Sequence, residues 1–352
     1  MLGQKFNTIL NNWYIQNARL LPWKGEKNPY YIWLSEIILQ QTRVEQGVLY
    51  YHKFRKKFPL LKQLANAHED EILKMWEGLG YYTRARNLHA TAKIIAEQYN
   101  GKFPDTYEKI IQLKGIGDYT AAAIASFAYD LPYAVVDANV LRILARIFGV
   151  YAAINTNEAK KKIAVLANKL LDKNNPAAHN QAMMDFGATV CKPVNPMCEN
   201  CPFKNHCYAY KNNVVELLPV KSKKIKRRVR YFHYFIIKQK NSFIIEKRTT
   251  KDIWKNMYQF PMLEEKRMLS SKNILMSSAY KEYFTAEKIG IIKESAIFSQ
   301  QLTHQTIKAK FFIVMSESLK RPLRPGWIIP EKNKFREFAF PGIIRNYLEE
   351  MQ

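Results

Sequence analysis

Residues 1 to about 210 carry apolar positions at helical spacing, and residues after about 230 carry them in alternation. In the first half, the segments 30–50, 69–76, 86–98, 120–129, 139–148 and 158–171 place apolar residues three and four apart, with Gly, Pro or Asn between them. In the second half, YFHYFIIK, SFIIEKR and KAKFFIVM read as strands, and 341–350 as a closing helix. The pattern predicts a helical domain followed by a mixed α/β domain of about 120 residues.

Between the halves, KSKKIKRRVR (221–230) holds seven basic residues in ten. It reads as an exposed linker, either merely solvated or touching phosphate. Its sign matches the whole chain, in which Lys plus Arg is 55 and Asp plus Glu is 30, a net charge of +25. A surplus of that size attracts polyanions. No uncharged apolar run approaches the ~20 residues that span a bilayer, and the first residues lack a signal-peptide pattern. A soluble, cytoplasmic protein without membrane contact is expected, working as a monomer near the nucleoid.

Four cysteines change the picture. Cys191, Cys198, Cys201 and Cys207 fall within 17 residues, spaced by six, two and five, among prolines and asparagines that make loop rather than core. In a reducing compartment such a cluster points to metal ligation. Zinc is the generic occupant of four thiolates, iron–sulfur clusters also use four, and spacing alone does not name the metal.

Three polar features interrupt the helical half. Gly115 and Gly117 in LKGIGDYTAAAIASFA form a tight turn before an apolar helix, where bare N–H groups and a helix N-terminus can hold a phosphate. Lys114 adds charge there and Asp118 opposes it; an ordinary helix connection is the plainer reading. Asp137 lies between apolar runs in AVVDANVLRILARI, as a helix cap or a reactive carboxylate. Glu36 sits inside IWLSEIIL, where desolvation raises its pKa towards that of a general acid, unless it lies at the helix edge. A protonated acid and a second carboxylate suit cleavage of a glycosidic bond. In DNA the base must first leave the stack, and Gln40, Gln41, Leu79, Tyr81 and Tyr82 are candidates to fill the gap.

LPW (21–23), WLSEIILQQT (33–42), GLGYYTRARNL (78–88), LKGIG (113–117), VVDANV (135–140), NQAMMDFGATVC (180–191) and the cysteine spacing together resemble the MutY-type A/G-specific adenine DNA glycosylases over about 190 residues. These enzymes belong to the helix–hairpin–helix superfamily that includes endonuclease III. The resemblance implies an α+β multidomain chain: an all-α helix–hairpin–helix glycosylase domain with an iron–sulfur loop (1–215), a basic linker (216–230), and a Nudix-like α/β domain (231–352). It implies one 4Fe–4S cluster, Glu36 as the acid towards adenine N7, and Asp137 as stabiliser of the sugar cation. It implies Tyr119 and Asn139 beside the reacting nucleotide, and Trp23, Lys24 and Gln181 at the adenine pocket. Gln41 and Tyr81 would wedge into duplex DNA carrying an A:8-oxoguanine or A:G mispair.

In the second half, IWKNMYQFP (253–261) and LTHQTIKAKF (302–311) resemble the Nudix-like domain of this family, which implies that Thr303 and His304 meet 8-oxoguanine. The clustered glutamates of a Nudix hydrolase are absent. Endonuclease III-type enzymes place a lysine nucleophile where this chain has Tyr119, so a monofunctional enzyme is expected. The alternatives are a pyrimidine-lesion glycosylase with lyase activity and a non-catalytic, metal-stabilised DNA-binding protein. Three positions depart from the family pattern: Ala138 and Asn256 stand for a usual glycine, and Lys24 for a common arginine.

Overall fold

The structure, a computed structural model, describes residues 2–222, 227–239, 242–284, 289–316 and 324–351. The chain forms two compact units, one of residues 1–66 with 87–223, the other of residues 67–86 with 224–352. Part of the basic stretch, 223–226, lies outside the described residues.

Helices account for the first 211 residues: α1 (Leu2–Asn17), α2 (Pro29–Leu39), α3 (Val44–Lys57), α4 (Leu61–Asn66), α5 (Glu69–Met75) and α6 (Thr83–Gln98). They continue as α7 (Tyr107–Ile110), α8 (Asp118–Tyr129), α9 (Ala138–Phe148), α10 (Asn157–Leu170), α11 (Pro176–Thr189) and α12 (Tyr208–Lys211). The periodic run at 30–50 is two helices rather than one. It breaks after Leu39, and Gln41 turns the chain with φ +58°. Local chemistry sets the ends. Asn28 accepts from Tyr30 N at 3.0 Å and Pro29 opens α2. Gly149 closes α9 in the left-handed region. The core of this unit centres on α9, whose Val140, Ile143, Leu144 and Ile147 pack with Phe6, Leu10, Phe186 and Phe203.

The second unit contains β1 (Arg228–Gln239), β2 (Ser242–Phe243), β3 (Ile245–Lys247), β4 (Tyr258–Gln259), β5 (Met262–Glu265), α13 (Ser271–Met276) and α14 (Ser278–Tyr283). It ends with β6 (Ile289–Glu294), β7 (Phe298–Gln301), β8 (Gln305–Ser316), β9 (Trp327–Ile328) and α15 (Gly342–Glu350). The main sheet runs β2-β1-β8-β6, with β5 on β1 and β7 on β8; β4, β3 and β9 make a smaller antiparallel sheet. β1 and β8 pair in parallel from Arg228↔Gln305 to Ile237↔Val314. Parallel strands are normally covered on both faces, and here Phe232, Tyr234, Phe235, Ile236 and Ile237 are all buried.

The basic stretch is not solvated throughout. Arg228 already starts β1, and Arg230 is 9% exposed, held bidentately by Asp252 (2.7 and 2.8 Å) and by Glu264 (2.6 and 2.7 Å). A buried guanidinium needs such partners. Residues 67–86 also depart from a simple division of the chain at about 215. They belong to the second unit, although residues 87–223, which belong to the first, separate them from the rest of it in the chain.

Candidate active site and thiol centre

α2 is apolar on nearly every face, so the carboxyl of Glu36 is carried into the interior, 6% exposed. Burial pushes its pKa up to about 7, the hydroxyl of Tyr119 opposes that rise, and the charge of Asp137 adds to it. Tyr119 stands in the first turn of α8 and donates to Glu36 Oε2 at 2.6 Å. Its own pKa is raised well above the usual value, first by burial and then by the two carboxylates, so the hydroxyl stays protonated and a donor.

Asp137 caps α9 and reaches the same centre. Its Oδ1 accepts from Val140 N at 2.7 Å and its Oδ2 from Asn139 Nδ2 at 2.7 Å. Burial raises this carboxyl too, against the pull of both donors and of Arg142. The two acids thus differ in surroundings: Glu36 has one donor and Asp137 has several, which favours Asp137 as the anion and Glu36 as the proton carrier. Ala138 starts α9 in ordinary helical conformation, so a side chain there introduces no strain.

Residues that sequence reasoning passed over hold this arrangement. Asn180, buried on α11, donates to Ser126 Oγ (2.8 Å) and Tyr133 O (2.9 Å) and accepts from Val135 N (3.0 Å), fixing the chain just before Asp137. Arg142 donates to Asn139 Oδ1, Gly187 O and Cys191 O, each at 2.8 Å. Asp185, fully buried, accepts from Arg19 N (3.0 Å) and Nε (2.7 Å) and from Lys24 Nζ. Arg142 and Asp185 each interrupt an apolar helical run, which invites a buried partner; Asn180, between His179 and Gln181, carried no such signal.

Trp23, 8% exposed, sets its ring edge-on to Tyr51 at 5.5 Å, with Lys24 beside it. Burial lowers the Lys24 pKa and the bond to Asp185 restores part of it. Gln181 is half-buried on α11. A groove in this unit is lined by Gln40, Gln41, Gly117, Tyr119, Lys160 and Lys161. Gln40 donates to Thr120 Oγ1 at 3.3 Å, and Gln41 is exposed.

The glycine turn splits into two roles. Gly115 has φ +78° and a Cβ there would stand 2.6 Å from Asn87 Cβ, so the turn itself requires glycine. A Cβ at Gly117 would meet no atom within 4 Å, and the N-terminus of α8 is open there. Lys114 is exposed nearby.

In the second unit, Tyr81 is 50% exposed in the turn before α6, with φ +47°. Leu79 and Tyr82, expected beside it as duplex fillers, are instead 6% and 7% exposed and pack the turn from within. Tyr81 Oη lies 2.6 Å from Thr303 Oγ1, at the exposed tip between β7 and β8 where His304 also stands.

The four cysteines line one cavity with Ile147 and Phe186. No disulfide forms, and burial raises the pKa of Cys198, Cys201 and Cys207, with neighbouring sulfurs adding to the rise; Cys201 reaches about 12. Arg146 Nη1 approaches Cys191 Sγ at 3.5 Å. Among the described residues no group of three or more Cys, His, Asp or Glu is closed up enough to hold an ion as it stands. Four thiols around one largely apolar cavity, with an arginine against Cys191, nonetheless suit a soft, anionic thiolate-bound group.

Residues 34–169 match the HhH-GPD superfamily of base excision DNA repair proteins, and residues 233–350 match the NUDIX domain. The fold and these two matches define a helix–hairpin–helix base-excision DNA repair protein with a Nudix-like domain. A solved thermostable thymine-DNA glycosylase superposes with a TM-score of 0.56 at 30% identity, over 60% of this chain and 97% of that one. The adenine DNA glycosylase of Buchnera aphidicola subsp. Baizongia pistaciae is 40% identical over 309 residues, 86% of this chain and 83% of that protein. The human adenine DNA glycosylase is 39% identical over 213 residues, 58% of this chain and 39% of that one. The chain belongs to the adenine DNA glycosylases, hydrolases that cleave the N-glycosidic bond in base excision repair.

Proposed function

We propose that this enzyme removes adenine mispaired with 8-oxoguanine or guanine in duplex DNA and leaves an abasic site. The observation that carries the reading is the Tyr119–Glu36 bond of 2.6 Å beside the capped Asp137. Glu36, with a pKa of about 7, is protonated in a useful fraction at neutral pH and gives its proton to the flipped adenine at N7. Asp137, with two donors fixing it, stays anionic and stabilises the oxocarbenium-like sugar. Trp23, Lys24 and Gln181 hold the base. The open N-terminus of α8 at Gly117, with Lys114, takes a phosphate.

Tyr119 also supports a monofunctional enzyme. Its phenol cannot form the imine that a lysine nucleophile would, and its hydroxyl is committed to Glu36. On the lesion side, Thr303 and His304 read 8-oxoguanine while Tyr81 wedges beside them. The bond between Tyr81 and Thr303 supports that pairing.

We also propose that Cys191, Cys198, Cys201 and Cys207 hold one 4Fe–4S cluster, which, when bound, supplies covalent cross-links across the 191–207 loop. That loop then faces the DNA backbone with Lys192. Lys204 contributes less, since Glu199 neutralises it at 2.5 Å.

Single-turnover excision of adenine from matched duplexes with 8-oxoguanine, guanine or thymine opposite tests the reading. The expected order is 8-oxoguanine, then guanine, then thymine. Equal rates on all three overturn it, and a strong borohydride-trapped adduct on a pyrimidine lesion would favour the lyase alternative.

A further inference from the structure

Residues 67–86 are helical chain from the first half, yet they are built into the second unit. The joint is specific. Asp70 on α5 accepts from Lys247 Nζ at 2.5 Å and from Tyr258 Oη at 2.9 Å, using both carboxylate oxygens. Glu69 accepts from the side-chain amide of Asn256. Further along, Lys74 Nζ donates to Phe338 O at 3.1 Å and Phe340 N donates to Glu77 Oε1 at 2.9 Å. Arg86 closes the segment by donating to Lys255 O at 3.0 Å.

The turn that presents Tyr81 hangs between these anchors. Trp76 Nε1, at the end of α5, donates to Gly80 O at 3.0 Å, and Arg84 donates to Leu79 O at 3.2 Å while lying over the Trp76 ring. The turn's tip then meets Thr303. Tyr81 sits in left-handed backbone, which persists only where the surroundings dictate it. Asn256 belongs to the same device. It departs from the glycine usual in its family, holds φ +65°, a conformation asparagine tolerates, and adds the bond to Glu69.

We infer that Asp70, Lys247, Tyr258 and Asn256 form a clamp that holds the Tyr81 turn against the Thr303 loop, so that wedge and lesion reader act as one part. Asp70 is a positioning residue, acting on the lesion through the turn. The inference rests on the lesion-side roles of Tyr81 and Thr303 given above.

The test is the ratio of single-turnover excision rates opposite 8-oxoguanine and opposite guanine, in the full chain. Asp70→Lys and Lys247→Asp are each expected to lower that ratio on the order of tenfold, the loss of about 1.4 kcal/mol of transition-state discrimination. The double variant, which restores an opposite-charge pair, is expected to recover it. Asn256→Gly keeps the backbone conformation and loses one bond, so a drop of a few-fold is expected even if the charge variants fold poorly. The rate opposite guanine stays near wild type throughout. An unchanged ratio in Asp70→Lys and Asn256→Gly overturns the clamp, as does a ratio that falls in both singles and stays low in the double. If wild type shows no preference, or Tyr81→Ala leaves it intact, the lesion-side reading itself fails.

Discussion

Glu36→Gln separates the chemistry of the site from its stability. In the wild type, burial lifts the Glu36 pKa from 4.5 to about 7. The folded protein therefore holds this proton more tightly than the unfolded chain. The stabilisation is complete below about pH 4.5 and is lost as pH rises through about 7. A separation of about 2.5 pH units, at 1.36 kcal/mol each, amounts to about 3 kcal/mol. The group is buried, so solvent screens little of this. Glutamine keeps the shape, can accept from Tyr119, and has no proton to lose. The variant should match the pH response of wild type below about pH 4.5 and gain on it by up to about 3 kcal/mol above pH 8. Asp137 titrates in both proteins and largely cancels in the difference. Excision should move the opposite way, falling roughly 10²–10⁴-fold in the variant, while the wild-type rate declines as pH rises above about 7. Urea titrations across about pH 5–9, paired with single-turnover rates, read both quantities. A stability difference that stays flat across that window, or near-normal excision by the variant, refutes Glu36 as a buried acid.

Tyr119→Phe deletes the one donor that opposes the rise of Glu36, so the alkaline limb of the pH–rate profile should shift to higher pH; a shift to lower pH would contradict the bond. Gly115→Ala should destabilise the fold by roughly 1–2 kcal/mol or more through its left-handed backbone and its clash with Asn87, seen in thermal melts. Gly117→Ala should leave the melt unchanged and weaken DNA affinity, because a methyl there meets only the space a phosphate would enter; equal melts and equal affinities would count against the hairpin role. Asn180→Ala breaks three buried hydrogen bonds and should cost about 1–3 kcal/mol while slowing excision, since the chain before Asp137 loses its anchor. Purified protein should contain iron and inorganic sulfide and lose both in Cys198→Ala; zinc without iron would dismiss the cluster assignment.

What could be read from the chain differs by residue, for physical reasons. Glu36 and Asp137 stood out as acids in apolar runs, but each also had an ordinary reading, at a helix edge or as a helix cap. The burial of Glu36 and its bond to Tyr119 are what the structure adds. The helix of Glu36 and the cap at Asp137 are local, set by residues within four positions. The bonds that assemble the site are not local: Tyr119 meets Glu36 across 83 positions, and Lys24 meets Asp185 across 161. The glycine turn was legible as a turn, but only packing tells Gly115, crowded by Asn87, from Gly117, open to a ligand. Leu79, Tyr81 and Tyr82 look alike in sequence and differ wholly in exposure. The basic stretch misled because charge alone does not reveal a partner. Arg230 finds Asp252 and Glu264, 22 and 34 positions on, and becomes part of a strand.

Residues 67–86 are the sharpest case. Their helical periodicity assigns them, with the acids Glu69, Asp70 and Glu77, to the helical half. Each of those acids meets a donor from the second unit instead. Periodicity reports which face of a helix is buried and is silent on what buries it. The partner had to be found by complementarity over about 180 positions, between acids on α5 and Lys247, Asn256 and Tyr258. That distance is why a cut near residue 215 is the wrong way to ask what the second unit does. It strips α5 and the Tyr81 turn of their partners as well as removing the domain, and would confuse loss of lesion reading with loss of the wedge. Point changes at the clamp keep both parts present and change only how they are joined.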